Sequence, residues 1–332
     1  MAGFFQNLIR KLSPPKEPET PAVHVGAFGK HPGWNDHLDD LGLDTARLAT
    51  LKTQFYVQGI GGNIDSRAWE RLDEPQRLDG YHHLFVLEDG KDTVVGRFWS
   101  SSDGKGRKLY PMVVCAQFTH VPLAWALGEA LPRLADLEAR CTATTSADVV
   151  RDAVAGARSA LVSHVAGAAP FAPAPPPARD AVAVLAACPE MGPEHRGLLT
   201  TIYHVEREMP SLLTGRYGPK EVPRPGHVRI PPCGATTEQS LLLWIGFLRR
   251  LVDPAVPVLA LVPLDQPWID LVAGPMTPAA LYCILASRKS IPLATDIPYN
   301  LDEPFLTRAR AMIAASTAAP AAPPPAAAPT AW

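Results

Sequence analysis

The order of the elements predicts an α+β, or mixed α/β, fold: a largely antiparallel sheet flanked by helices, with a mainly helical middle region. Four strand-like segments, at residues 22–29, 81–87, 93–99 and 112–118, precede any long helical region and leave room for one helical crossover. The turn Glu88-Asp89-Gly90-Lys91-Asp92 joins the second and third as a hairpin, which makes them antiparallel neighbours. A doubly wound parallel sheet would instead alternate strand and helix throughout.

At the N-terminus, residues 1–13 hold a short amphipathic helix, with Phe4, Phe5, Leu8, Ile9 and Leu12 on one face. A helix this short is unstable alone in water, so it is expected to form on a membrane surface, a partner groove or the protein's own body. Residues 14–21 are a proline-rich linker, and residues 22–316 the main domain. After the first strand comes the turn Gly29-Lys30-His31-Pro32-Gly33-Trp34-Asn35-Asp36-His37, then a helix over 44–56 with Leu48, Leu51, Phe55 and Tyr56 inward. Gly59-Ile60-Gly61-Gly62-Asn63 is expected to break that helix, since glycine and asparagine accept positive φ, and a short helix follows at 66–72.

Residues 122–225 read as a mainly helical insertion, with helices at 122–140, 147–165, 180–187 and 193–209. Ser146 is placed to cap the second. The Ala/Pro run 167–177 reads as a linker. The last third returns to a mixed pattern, with strands at 227–230, 256–262 and 268–272 and helices at 237–251, 278–286 and 303–314. Residues 317–332 are an Ala/Pro-rich tail to which no structure is assigned.

The totals exclude several function classes. A chain of 332 residues with 47% hydrophobic residues and a net charge of −2 is ordinary globular protein, without the basic surface that general nucleic-acid binding needs. No run approaches the roughly 20 apolar residues that span a bilayer, and no secretory pattern opens the chain. The five cysteines, at 115, 141, 188, 233 and 283, show no metal-ligand spacing. An odd, scattered set points to reduced thiols in the cytoplasm.

Chemistry, if present, centres on the turn after the first strand and on a second dense stretch, Ser100-Ser101-Ser102-Asp103-Gly104-Lys105-Gly106-Arg107-Lys108-Leu109-Tyr110-Pro111. The first resembles a phosphate-binding turn, but its glycine spacing fits neither nucleotide fingerprint and Pro32 offers no N–H. His31, Asp36 and His37 are weak metal candidates; Asp36 and His37 are adjacent, and no His-x-x-x-His pair exists. The serines lack a nucleophile elbow. A structural reading is stronger: Lys30 and Arg107 are donors, Asp36 and Asp103 acceptors, and Arg107 is expected to clamp a carboxylate and tie the two loops. No cofactor is expected.

Two patterns carry a family resemblance. Val25-Gly26-x-x-Gly29-Lys30-x-Pro32 followed by Asp36, and Ser101-x-Asp103-x-x-Gly106-Arg107-x-x-Pro111, resemble the two signatures of TagF (ImpM-type) proteins, accessory factors of the bacterial type VI secretion system. Ser240–Trp244 and Pro257–Pro263 resemble that family's C-terminal part more faintly. Asn35-Asp36-His37 departs from the family's usual Gly-Asp-Phe, which marks a divergent relative.

The resemblance implies a fold with some likeness to longin-type adaptor domains. It also implies a non-enzymatic, cytoplasmic regulator: a post-translational repressor or adaptor engaging a forkhead-associated scaffold protein. Trp34 is then the expected anchor of the contact surface, held outward or against the sheet end, since exposed aromatics dominate interface energies. Two alternatives stand beside it: a metal-assisted hydrolase using His31, Asp36 and His37, and an adaptor tethered by its N-terminal helix at the periphery of the inner membrane.

Overall fold

Runs of β-branched and aromatic residues make seven strands: β1 (Ala22–Gly29), β2 (His82–Asp89), β3 (Asp92–Ser100), β4 (Pro111–Thr119), β5 (Gly226–Ile230), β6 (Val258–Pro263) and β7 (Ile269–Ala273). In the computed structural model, which describes residues 20–168, 171, 180–218 and 223–318, they form one sheet in the order β1-β4-β3-β2-β6-β7-β5. Every pairing is antiparallel. The hairpin closes through the Asp89–Asp92 pair, with Gly90 at φ 63°.

All of β6, and all of β4 except Thr119, is buried. Both faces of the sheet are therefore covered, which is why those strands read as continuous apolar runs rather than alternations. One face carries the long helices: α3 (Leu123–Thr142) lies on β3 and β4, and α4 (Ala147–Ala168) on β1. On the same face α6 (Arg196–Glu208) lies on β5 and α7 (Thr237–Leu251) on β6, with α5 (Ala181–Ala186) and α9 (Glu303–Thr317) outside them. Leu127, Leu137, Val150, Leu161, Leu198 and Ile202 from the helical middle join strand residues Val25, Val114 and Leu271 in one core.

The opposite face is covered by α1 (Ala46–Leu51), α2 (Gly61–Asp65), the short α8 (Pro278–Leu281) and the turns near Trp69 and Cys283. Phe28, Phe55, Phe85 and Phe98 are fully buried there, each contributing about 2–3 kcal/mol of transfer free energy.

The glycine-rich stretch departs from the sequence expectation. The chain does not break at Gly59–Asn63 but runs from α1 through a π-helix (Lys52–Ile60) straight into α2. Gly59 serves close packing instead: a Cβ there would lie 2.2 Å from Leu281 Cδ1. Asn63 then ties the helix to α8 by donating to Pro278 O at 2.7 Å. The helix expected at 66–72 is a single 3-10 turn, Trp69–Arg71, and that expected at 278–286 is α8 followed by a 3-10 turn, Tyr282–Ile284.

The expectation of five reduced thiols is also corrected, because Cys188 and Cys233, 45 residues apart, are joined as a disulfide. Sequence spacing could not reveal a pairing made by tertiary structure. Among the described residues no helix is long and apolar enough to cross a membrane. The N-terminal helix with Phe4, Phe5, Leu8, Ile9 and Leu12, most of the 14–21 linker, nearly all of 169–179 and the tail from 319 lie outside the described residues.

Candidate functional site

Strand β1 ends at Gly29, whose φ of 107° turns the chain sharply against β4. A Cβ at that position would lie 2.3 Å from Pro111 O, so only glycine fits. Lys30 N–H then donates to Pro111 O at 3.1 Å, and the chain loops back so that Leu38 N–H donates to Gly29 O at 2.8 Å. The β3–β4 connection folds over this loop, with Gly104 N–H donating to Trp34 O at 2.6 Å. Antiparallel pairing of β1 with β4 thus places the two dense sequence stretches at one end of the sheet.

Asp103 is the centre. Its Oδ1 accepts the backbone N–H groups of Lys105 at 3.0 Å and Arg107 at 3.1 Å. Its Oδ2 accepts Lys30 Nζ at 2.5 Å and Arg107 Nε at 2.6 Å. Arg107 Nη2 reaches on to Asp36 Oδ1 and to Asn35 O, both at 3.1 Å, while Lys30 Nζ lies 3.4 Å from Asp36 Oδ1. The Arg107 side chain therefore bridges two carboxylates with one bond to each, rather than clamping a single one.

The Asp103 and Lys30 side chains are 0% and 5% exposed, whereas Arg107 and Asp36 face solvent. Burial pushes the Asp103 carboxyl up, but bonds from Lys30, Arg107 and Lys105 outweigh it and hold the group well below the usual carboxylate range. Replacing Asp103 with Ala leaves Lys30 buried beside no carboxylate but Asp36, and unties both loops. The expected result is a Tm lowered by several degrees and selective hydrogen-exchange loss in residues 30–38 and 101–110. Unchanged protection in either loop would remove Asp103 as their common tie.

The other predicted residues fall around this knot. Pro111 opens β4, and its carbonyl also accepts the Tyr56 hydroxyl at 3.2 Å. Gly106, with φ 78°, is exposed at the loop tip. Pro32 and Ser101 line a cavity of about 400 Å³ with Trp99, Thr142 and Thr145.

Trp34 requires a correction. It is not an exposed anchor but 9% exposed, packed beside α4 with Arg151 5.2 Å above its ring. Its indole N–H donates to Asp39 at 3.1 Å, and Asp39 in turn pairs with Arg151 at 2.9 Å. The indole is held at the edge of the core by the Arg151 cation from α4 and by its bond to Asp39. The exposed large apolar side chain of the loop is Leu109, 61% exposed, which follows the exposed Lys105, Arg107 and Lys108 in sequence and lines a cavity with Glu70 and Asp79.

The three weak metal candidates do not converge. His31 is buried, its Nε2 at 2.9 Å from Cys141 O and its Nδ1 accepting Gly33 N–H at 3.0 Å, so both nitrogens are engaged. His37 Nδ1 lies 3.2 Å from Asp36, and its ring meets Tyr56 and Tyr110 edge-on.

Two polar clusters were missed from sequence. His227, Arg229, Trp268 and Asp270 interlock between β5 and β7, and Cys188, Glu190 and Cys233 meet between the α5 turn and α7. Neither has a local signature, since each joins residues about forty positions apart.

No family model matches the chain, and no curated protein matches it.

Proposed function

We propose that this chain is a non-enzymatic accessory protein of a type VI secretion-like system, acting by protein–protein contact as a repressor or adaptor of a forkhead-associated scaffold. Its place would be the cytoplasm or the inner face of the inner membrane. The supporting observation is the saturation of the motif: Asp103 accepts four bonds, and Lys30 and Arg107 are spent on Asp103 and Asp36. A loop whose charges are mutually satisfied is built to hold a shape rather than to move protons. His31 likewise has no nitrogen to offer a metal, so the geometry does not favour the hydrolase alternative.

The surface so held is the tip formed by Lys105, Gly106, Arg107, Lys108 and Leu109. An exposed apolar side chain next to Lys108 suits a partner surface with an apolar pocket. In a pull-down from the native host, the wild type should capture secretion-system components. Leu109→Asp should lose that capture while its Tm stays within a degree or so, because Leu109 is exposed. Capture of no secretion component by the wild type would remove the reading, and capture unaffected by Leu109→Asp would remove the loop from it.

A further inference from the structure

Three donor side chains from distant parts of the sequence meet outside the motif. Cys188 and Glu190 belong to the turn that closes α5, and Cys233 lies between β5 and α7. The two sulfurs and a Glu190 carboxylate oxygen lie within 4.8 Å of one another. Cys188 and Cys233 form a disulfide with Cα atoms 6.4 Å apart, a separation that also suits two thiolates on one metal.

Glu190 does not fit the disulfide alone. Its Oε2 lies 4.0 Å from Cys233 Sγ, yet a disulfide sulfur has no proton to donate. Glu190 is exposed, and its carboxylate lies on the open side of the two sulfurs. Two sulfurs and a carboxylate oxygen this close together are a donor set that one cation could share.

We propose that the dithiol form of this cluster is a binding site for a thiophilic divalent cation of the zinc class, held by Cys188 Sγ, Cys233 Sγ and Glu190, with water as fourth ligand. Tetrahedral zinc with two sulfurs and one oxygen places the donors about 3.6–3.8 Å apart, close to the observed Glu190–Cys233 separation. Two thiolates select a soft or borderline ion over magnesium or calcium.

The surroundings suit such a site. Cys233 is buried and its backbone is clamped by Ser240, whose Oγ accepts Cys233 N–H at 2.8 Å and donates to Cys233 O at 2.5 Å. Cys188 N–H donates to Leu185 O at 2.9 Å, which fixes the other sulfur's backbone. Glu190 is exposed, leaving one side open for the ion and its water.

Disulfide and metal exclude one another. Two electrons and two protons from an external thiol reductant convert the disulfide to two thiols. Binding the cation then releases both thiol protons, so the cell's reducing power decides whether the site is available.

The test uses the full chain, reduced with a phosphine, freed of metal and titrated with Co²⁺ and then Zn²⁺. A thiolate-to-cobalt charge-transfer band should saturate at one equivalent and disappear on adding zinc. It should be absent in Cys188→Ser, in Cys233→Ser and in the oxidised wild type, and Glu190→Gln should weaken binding at least about tenfold. Circular dichroism checks that the serine variants are folded, and the oxidised wild type and Glu190→Gln keep the test decisive if they are not. No band in the reduced wild type overturns the proposal, as does an equal band in the oxidised chain or unchanged affinity in Glu190→Gln.

Discussion

Replacing Asp270 with Ala is expected to lower the unfolding free energy by about 3–5 kcal/mol, the cost of leaving a buried charge uncompensated. Its Oδ1 accepts His227 Nε2 and Arg229 Nε, both at 2.7 Å. Its Oδ2 accepts Arg229 Nη2 at 2.9 Å and Trp268 Nε1 at 3.2 Å. Burial pushes this carboxyl up, but Arg229 and His227 outweigh it and hold the group below its ordinary value. The Arg229 side chain is 0% exposed and cannot turn to water when its partner is removed. Its remaining bonds, to Ile291 O at 3.1 Å and Cys283 O at 3.0 Å, and the Trp268 ring 4.6 Å away, do not neutralise it.

Urea unfolding should show the loss, with a Tm drop of roughly 10 °C. The double variant Arg229→Met, Asp270→Leu should recover much of it, because removing both charges also removes their desolvation cost. A single Asp270→Ala variant within about 1 kcal/mol of wild type would show that Arg229 is compensated by some other route.

Stability should also fall by roughly 3 kcal/mol as the pH drops from about 6.5 to about 4, through His83 alone. The His83 ring is fully enclosed, with Nε2 3.0 Å from Ile284 O, Nδ1 accepting His82 N–H at 3.0 Å, and a flat stack on Phe98 at 4.8 Å. Burial pushes its pKa down to about 4, despite the opposing pull of Asp270 and Ile284 O.

An unfolded chain takes up the proton near pH 6.5, while the folded chain resists it until about pH 4. Between those values the unfolded state binds more protons, so the contribution is complete above 6.5 and is lost on acidification. Unfolding free energies at pH 7 and pH 4.5 should differ less in His83→Leu than in wild type. An unaltered difference would place the titration elsewhere. His83→Leu also lowers stability at pH 7 through its lost hydrogen bonds, so the pH difference is the informative quantity.

Much of the sheet was legible because its causes are local. Strand β1 (Ala22–Gly29) and helix α7 (Thr237–Leu251) appear where apolar alternation and helical periodicity place them. Thr236 caps α7, accepting from Gln239 N–H, which fixes its start within a few residues of sequence. The candidate site was half legible. The complementary charges of Lys30, Asp36, Asp103 and Arg107 are visible in the sequence, but their distances and the share of Asp103 taken by backbone N–H groups are not.

The failures have one physical origin. Gly59 reads as a helix breaker from its own conformational freedom, yet Leu281, more than two hundred residues later, requires a residue without a side chain there. Trp34 is expected as the anchor of a contact surface, yet Arg151 and Asp39 hold it against the fold.

The strand segments, the hairpin, the long amphipathic helices and the two charged loops can be read from the chain because each follows from residues within one or two turns of chain. Which distant groups meet is set by packing instead: Asp103 beneath Lys30 and Arg107, Arg229 against Asp270, Cys188 beside Glu190 and Cys233. Such meetings depend on strand order and helix packing across distances for which periodicity carries no information. Burial, which sets the strength of each charge interaction, exists only once the two faces of the sheet have been covered.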